Sequence, residues 1–188
     1  MAAASKYNKY PAQPPPARVS LRQFALVVHE TEGVSNACVS LQDRFALDVN
    51  ILLIGAYIGV QGKTLAAEHV DAARAVVDEW HNEIVRALRA VRRRLKSGPA
   101  PAPDIRTAAL RRHVAESELD AEMVELDELG KWADALQAPA VAGSAIESGT
   151  AAMEAVVQSY RGDPVNSEAA GALAAIATAA AAATGCDR

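Results

Sequence analysis

Apolar positions recur at steps of three and four along most of the chain, while Val and Ile do not cluster into alternating runs. The pattern therefore reads as a succession of helices with no convincing strand and no internal repeat. Ser20 is placed to cap a first helix over Leu21–Glu30, closed near Gly33. A second is expected from Ser35 to about Phe45. Asp48 then stands as the N-cap of a third, from Val49 to about Val60, with Gly62 as its stop. Gly55 and Gly59 share one face of that helix. Bare backbone there lets another helix approach closely, at an intrinsic cost of about 1 kcal/mol per Gly relative to Ala.

The fourth element is long. Thr64 is placed to cap a short helix leading into Asp71–Lys96, where Val77, Trp80, Ile84, Leu88, Val91 and Leu95 form a coiled-coil-like seam. The Pro-rich stretch Ser97–Pro103 breaks it. Asp104 caps the next helix, expected through about Leu136 with a weak point at Gly130, until Ala138-Pro139-Ala140. Two more follow, roughly Ser144–Tyr160 and Asn166–Thr184, separated by Arg161-Gly162-Asp163-Pro164, which reads as an ordinary turn. These elements predict an all-α fold, a single-domain multi-helix bundle with a long antiparallel helical hairpin. Residues 20–137 would form the helical core domain, with the helices of 138–185 packed on it. Residues 1–19 read as a disordered Pro-rich leader and 186–188 as a frayed tail.

Composition narrows the class. At 188 residues the chain can bury a core without staples. It is 51 % hydrophobic but only 4 % aromatic, so Ala supplies much of the apolar surface, which favours helices. A net charge of −4 gives no overall pull toward nucleic acid or membrane. Cys38 and Cys186 read as reduced thiols of a cytoplasmic protein. The apolar run Ile51–Val60 is too short for a bilayer, which needs about 20 residues. The Ala-rich run Ala169–Thr184 is weakly hydrophobic and reads as a packed helix.

Charge is patterned as well. Arg86, Arg89, Arg93 and Lys96 step by three and four along the long helix, and Arg92 and Arg94 widen the patch. On the next helix Glu118, Glu122 and Glu125 form a carboxylate stripe that continues as Leu129, Trp132 and Leu136. Folded antiparallel, the two helices would bring arginines and glutamates together along one groove. Interhelical ion pairing is the plainest use of such stripes, each exposed pair contributing about 0–1 kcal/mol. A polar cleft for a ligand is the functional use. The Glu-x-x-His pairs of helical di-metal sites are absent, the nearest match being the reversed His113-Val114-Ala115-Glu116, and His29, His69 and His81 are scattered, so no metal or cofactor is expected. No nucleophile elbow or Cys/His signature is present. Gly59-Val60-Gln61-Gly62-Lys63-Thr64 lacks the upstream glycine spacing of a phosphate loop.

Four polar residues, Gln42, Asp43, Asp48 and Asn50, stand directly before the apolar run and require specific partners. Leu41-Gln42-Asp43, then Leu47-Asp48-Val49-Asn50 running into an apolar helix, resembles a family of short bacterial all-helical proteins of unknown function. The resemblance takes in Phe24-Ala25, Gly33-Val34, Cys38, Trp80, the segment Leu88–Arg94, and Glu118–Glu122 with Glu125, covering about Leu21 to Leu129. One departure is Ala87-Leu88-Arg89, where members tend to have Pro-Leu-Arg, so a helix kink is expected to be missing. The resemblance implies no activity. Together with helix spacing it groups Gln42, Asp43, Asp48, Asn50, Arg89, Arg93, Glu118 and Glu122 into one polar constellation.

Two uses of that constellation follow. The first expectation is a non-enzymatic interaction or regulatory module that docks a protein partner or associates with itself, with no membrane and with nucleic acid disfavoured. The alternative is a small-molecule or metal-binding enzyme in which Asp43, Glu118 or Glu122 supplies a carboxylate and Arg89 or Arg93 orients an anion. A third possibility keeps the constellation purely structural and places function in an apolar patch.

Overall fold

A computed structural model describes residues 19–161 and 165–185. The leader up to residue 18, the turn at 162–164 and the tail from Cys186 lie outside them. The order is α1 (Leu21–Glu30), α2 (Val34–Phe45), α3 (Val49–Gly59), α4 (Ala67–Trp80), a π turn (His81–Val85), α5 (Arg86–Ser97), α6 (Ile105–Ala135), α7 (Ala145–Arg161) and α8 (Ser167–Thr184). The fold is all-α; among the described residues the only β feature is an isolated bridge between Lys63 and Ala140.

Side-chain caps set several starts. Ser20 Oγ accepts from the Gln23 N–H, Asp48 from Asn50, and Asn166 from Ala169. Asp104 and Thr107 cap α6 reciprocally, each accepting from the other's backbone N–H. Thr64 does not cap a helix. Its N–H and hydroxyl both donate to the Pro139 carbonyl, tying the loop after α3 to the loop before α7. The helix starts at Ala67 instead, where His69 Nδ1 accepts from the Ala66 N–H.

The apolar run becomes the centre of the molecule. Every residue from Asn50 to Gly59 is buried, because α3 is surrounded by α1, α2, α4, α6, α7 and α8. Its closest partner is α7, which runs antiparallel to it. A Cβ on Gly59 would meet Ser148 and Gly149, and one on Gly55 would meet Val156 and Ala152. By length and composition α8 could cross a membrane; here Leu173, Ile176, Ala177 and Ala180 on one of its faces belong to the same core as α3.

The long element departs from the expected seam. At His81–Val85 the Arg86 N–H bonds to the His81 carbonyl, five residues back, so one extra residue is wound into the helix. Val77 is buried on the α4 side, but within the wide turn Val85 is buried while Ile84 is exposed, as is Val91 beyond it. Trp80, expected in the seam, is also mostly outward, with its indole N–H donating to the Ala121 carbonyl at 3.1 Å. The absence of proline at Ala87 therefore does not leave a regular helix. The irregularity sits one turn earlier.

Helix α6 is unbroken for 31 residues, so Gly130 is no weak point. A Cβ there would lie 3.6 Å from the Leu21 Cβ, in ordinary contact with α1. Contacts between α4–α5 and α6 run in opposite directions along the chain. His81 meets Glu125, Trp80 meets Ala121, and Arg89 and Arg92 meet Glu118.

Candidate functional site

The eight grouped residues separate into two networks and two free members. In the first network Arg89 donates through Nε to Glu118 (2.9 Å), through Nη2 to Glu122 (2.5 Å) and through Nη1 to the side-chain Oε1 of Gln42 (3.3 Å). Arg92 donates to both oxygens of Glu118. Burial pushes the Glu118 carboxyl up, but the Arg92 and Arg89 guanidiniums outweigh it and hold the group below its ordinary range. Glu122 goes the other way. Burial raises it in spite of Arg89, because Glu118 and Glu125 are close. Two cations facing two carboxylates make this network self-compensating, and it clamps α5 to α6 with a tie to α2.

The second network is built on Asp48 and Asn50. It also contains two residues outside the constellation that spacing and resemblance group: His81, scattered in sequence, and Glu125, which belongs to the carboxylate stripe and to the resemblance. His81 Nδ1 lies 2.8 Å from Glu125 Oε1 and 3.1 Å from Asp48 Oδ2. Asn50 orients both carboxylates. Its backbone N–H donates to Asp48 Oδ1 at 2.9 Å, and its side-chain amide donates to Glu125 Oε2 at 2.7 Å. The Glu125 side chain is wholly buried, and that of Asp48 is 10 % exposed. Burial pushes the Asp48 carboxyl up to about 6, with His81 opposing the rise and Glu125 adding to it. Burial pulls His81 down, yet Glu125 and Asp48 together hold it above its ordinary value.

Local structure explains the convergence. Ala46 ends α2 in the left-handed conformation (φ 52°), a cost of about 1 kcal/mol for a residue with a Cβ, and turns the chain so that Asp48 can cap α3. His81 opens the π turn. An offset of eight residues is 800° in an α-helix, which puts His81 and Arg89 about 80° apart; the extra residue in the wide turn makes the offset equivalent to about seven, and the two side chains then share a face. Strict α spacing hides His81, so periodicity does not group it with Arg89. One indirect signal exists: the steps Val77, His81, Val85, Arg89 are all four.

Asp48 and His81 open on a cavity of about 640 Å³ that is also lined by Gln42, Asp43, Arg93 and Tyr160. Burial and the nearby Asp48 push the Tyr160 phenol up to about 12. Arg74 lies over its ring, 4.4 Å from the centroid. Asp43 and Arg93, grouped with the others from sequence, are exposed and join neither network; among the described residues neither side chain makes a hydrogen bond or ion pair. Asp48, His81 and Glu125 each bring one ligand-type atom to within 4.8 Å of the other two.

A family model described as "Protein of unknown function (DUF2390)" matches residues 20–129. That span contains both networks and excludes Tyr160. No curated protein and no solved structure matches the chain.

Proposed function

The chain belongs to the DUF2390 family of proteins of unknown function, and from that premise we propose that it holds a divalent cation at Asp48 Oδ2, His81 Nδ1 and Glu125 Oε1 and presents it to a small-molecule ligand in the adjoining cavity. The supporting observation is that two carboxylates face one imidazole nitrogen. That nitrogen carries at most one proton, so the two carboxylates share a single donor. A cation offers both of them, and the nitrogen, a partner at once. First-row divalent ions bind nitrogen and oxygen at about 2.0–2.2 Å, which sets neighbouring ligand atoms about 3 Å apart; the spacings of 2.8 and 3.1 Å suit that geometry. Asn50 acts as the outer partner that fixes both carboxylates.

Three protein ligands leave coordination positions open toward the cavity. This is the arrangement of a working site rather than a closed structural one. A cation so placed takes a ligand oxygen or lowers the pKa of a bound water. The test is titration of EDTA-stripped protein with Zn²⁺, Mn²⁺ and Co²⁺ by calorimetry. One saturable equivalent is expected, lost in Asp48→Asn, which keeps the helix cap because Asn caps as well as Asp. Absence of saturable binding for all three ions would mean that the cluster shares a proton and holds no metal.

The docking of a protein partner is a second reading, favoured by one observation. A groove of about 500 Å³ between α1, α2 and α6 is lined by Leu26, Val39 and Leu119, all substantially exposed. Leu26→Asp with Leu119→Asp would abolish partner binding and leave metal affinity unchanged.

A further inference from the structure

Beside the metal cavity lies a smaller one of about 290 Å³, between α2, α5 and α6, lined by Arg92, Arg93, Lys96 and Arg111 with Gln42 and Asp43. Four cations meet there. Arg92 is committed to Glu118, but Arg93 and Lys96 have no carboxylate partner among the described residues. Arg111 is more telling, because its Nε is buried and has no hydrogen-bond partner. A guanidinium N–H withdrawn from water without an acceptor is costly, and gathering like charges around it raises the cost. Asp43 is the only carboxylate in the lining, and it is exposed. Elsewhere the protein pairs its buried charges closely, so this excess of unpaired donors stands out.

We propose that this cavity binds a phosphoryl group. A dianion with three acceptor oxygens offsets the charge of the Arg111 guanidinium and bonds to Arg93, Lys96 and the uncommitted N–H groups of Arg92, through the charge-assisted bonds that arginine forms best. A singly charged carboxylate would leave part of the positive excess unmatched. The two cavities share Gln42, Asp43 and Arg93 in their walls, so they adjoin. Resting on the metal reading above, the ligand class is then a small phosphorylated molecule, with its phosphoryl group on the arginines and its opposite end at the cation.

The test separates the two sites. Inorganic phosphate and a simple phosphate monoester, glycerol phosphate, are titrated against full-length protein in EDTA, where no metal contributes. Binding of both is followed by calorimetry and by melting temperature, with chloride at equal ionic strength as the control. Both ligands are expected to raise the melting temperature where chloride does not. Arg111→Gln and, separately, the exposed Lys96→Gln are expected to weaken phosphate binding about tenfold or more, and Asp48→Asn to leave it unchanged. The Lys96 variant keeps the result readable if Arg111→Gln perturbs folding. Binding of inorganic phosphate without the monoester identifies a free-anion site and overturns the assignment of a phosphorylated ligand. Equal stabilisation by chloride overturns the site altogether. So does binding of a short oligonucleotide that phosphate fails to displace. Loss of metal binding with phosphate binding intact would sink the cation site alone.

Discussion

Adding one methyl group at Gly59 is expected to destabilise the fold, although alanine is the better helix former. A Cβ there would lie 2.5 Å from the Ser148 carbonyl oxygen, 2.7 Å from the Gly149 Cα and 2.9 Å from the Ala152 Cβ. The first two are backbone atoms that no rotamer change can move. Restoring ordinary contact near 3.5 Å requires α3 and α7 to part by about 1 Å. Overpacking of this kind costs about 1–3 kcal/mol, and rigid backbone on the far side puts the cost toward the top of that range. Alanine returns about 1 kcal/mol of helix propensity. The net loss is then about 2 kcal/mol, or a fall in melting temperature of about 4–8 °C for a chain of this size. Gly171 is the matched control. It lies inside α8 with nothing within 4 Å of a built Cβ, so Gly171→Ala is expected to gain about 1 kcal/mol. Gly55→Ala, 3.0 Å from a Val156 methyl, should fall between them. Urea unfolding followed by circular dichroism, with linear extrapolation, ranks the three. A Gly59→Ala protein at least as stable as wild type would refute the close α3–α7 approach, and with it the placement of Asp48 beside Tyr160.

Further outcomes are expected. Arg89→Ala leaves Glu118 and Glu122 with one guanidinium between them and should cost about 3 kcal/mol in chemical denaturation, the scale of breaking a largely buried ion pair. Because the Glu118 pKa is lowered in the fold, its contribution is present above the ordinary glutamate value of 4.5 and lost as pH falls through the lowered one; Glu118→Gln should flatten the acid limb of the stability–pH curve. Asp48→Ala removes a helix cap and should cost about 1 kcal/mol, whereas Asp43→Ala should stay within about 0.5 kcal/mol, measured as melting temperature. Cys38 is fully buried and burial pushes its thiol up to about 11, so folded protein should resist iodoacetamide and become labelled only in denaturant.

What the sequence revealed and what it withheld follow from range. Ser20, Asp48, Asp104 and Asn166 are legible as caps because a cap is settled within three residues. The arginine and glutamate stripes were legible as partners because a short linker joins their helices. The second network was not. Asp48, His81 and Glu125 come from three helices far apart in the chain, and periodicity along one helix carries no information about which other helix it meets. Regular α spacing would hold His81 about 80° from Arg89, and only the wide turn, which nothing in the periodicity announces, brings the two onto one face. Arg111 is one arginine among several in the sequence, and only the packing around its Nε sets it apart.

The single extra residue in the His81–Val85 turn gives this helix one position of slack in its length. Deleting one residue there would restore uninterrupted α hydrogen bonding, and an isolated peptide would gain from it. In the protein the same deletion would keep Arg89 and Arg92 on α6, because seven α-helical residues cover the same rotation as eight that include the wide turn; only a second deletion would rotate everything downstream by about 100° and swing both arginines away. Substitutions at Asn82, Glu83 or Ile84, all exposed, change neither phase. The chain can therefore lose one of those positions and keep its arginines on its glutamates, but it cannot lose two without uncoupling them.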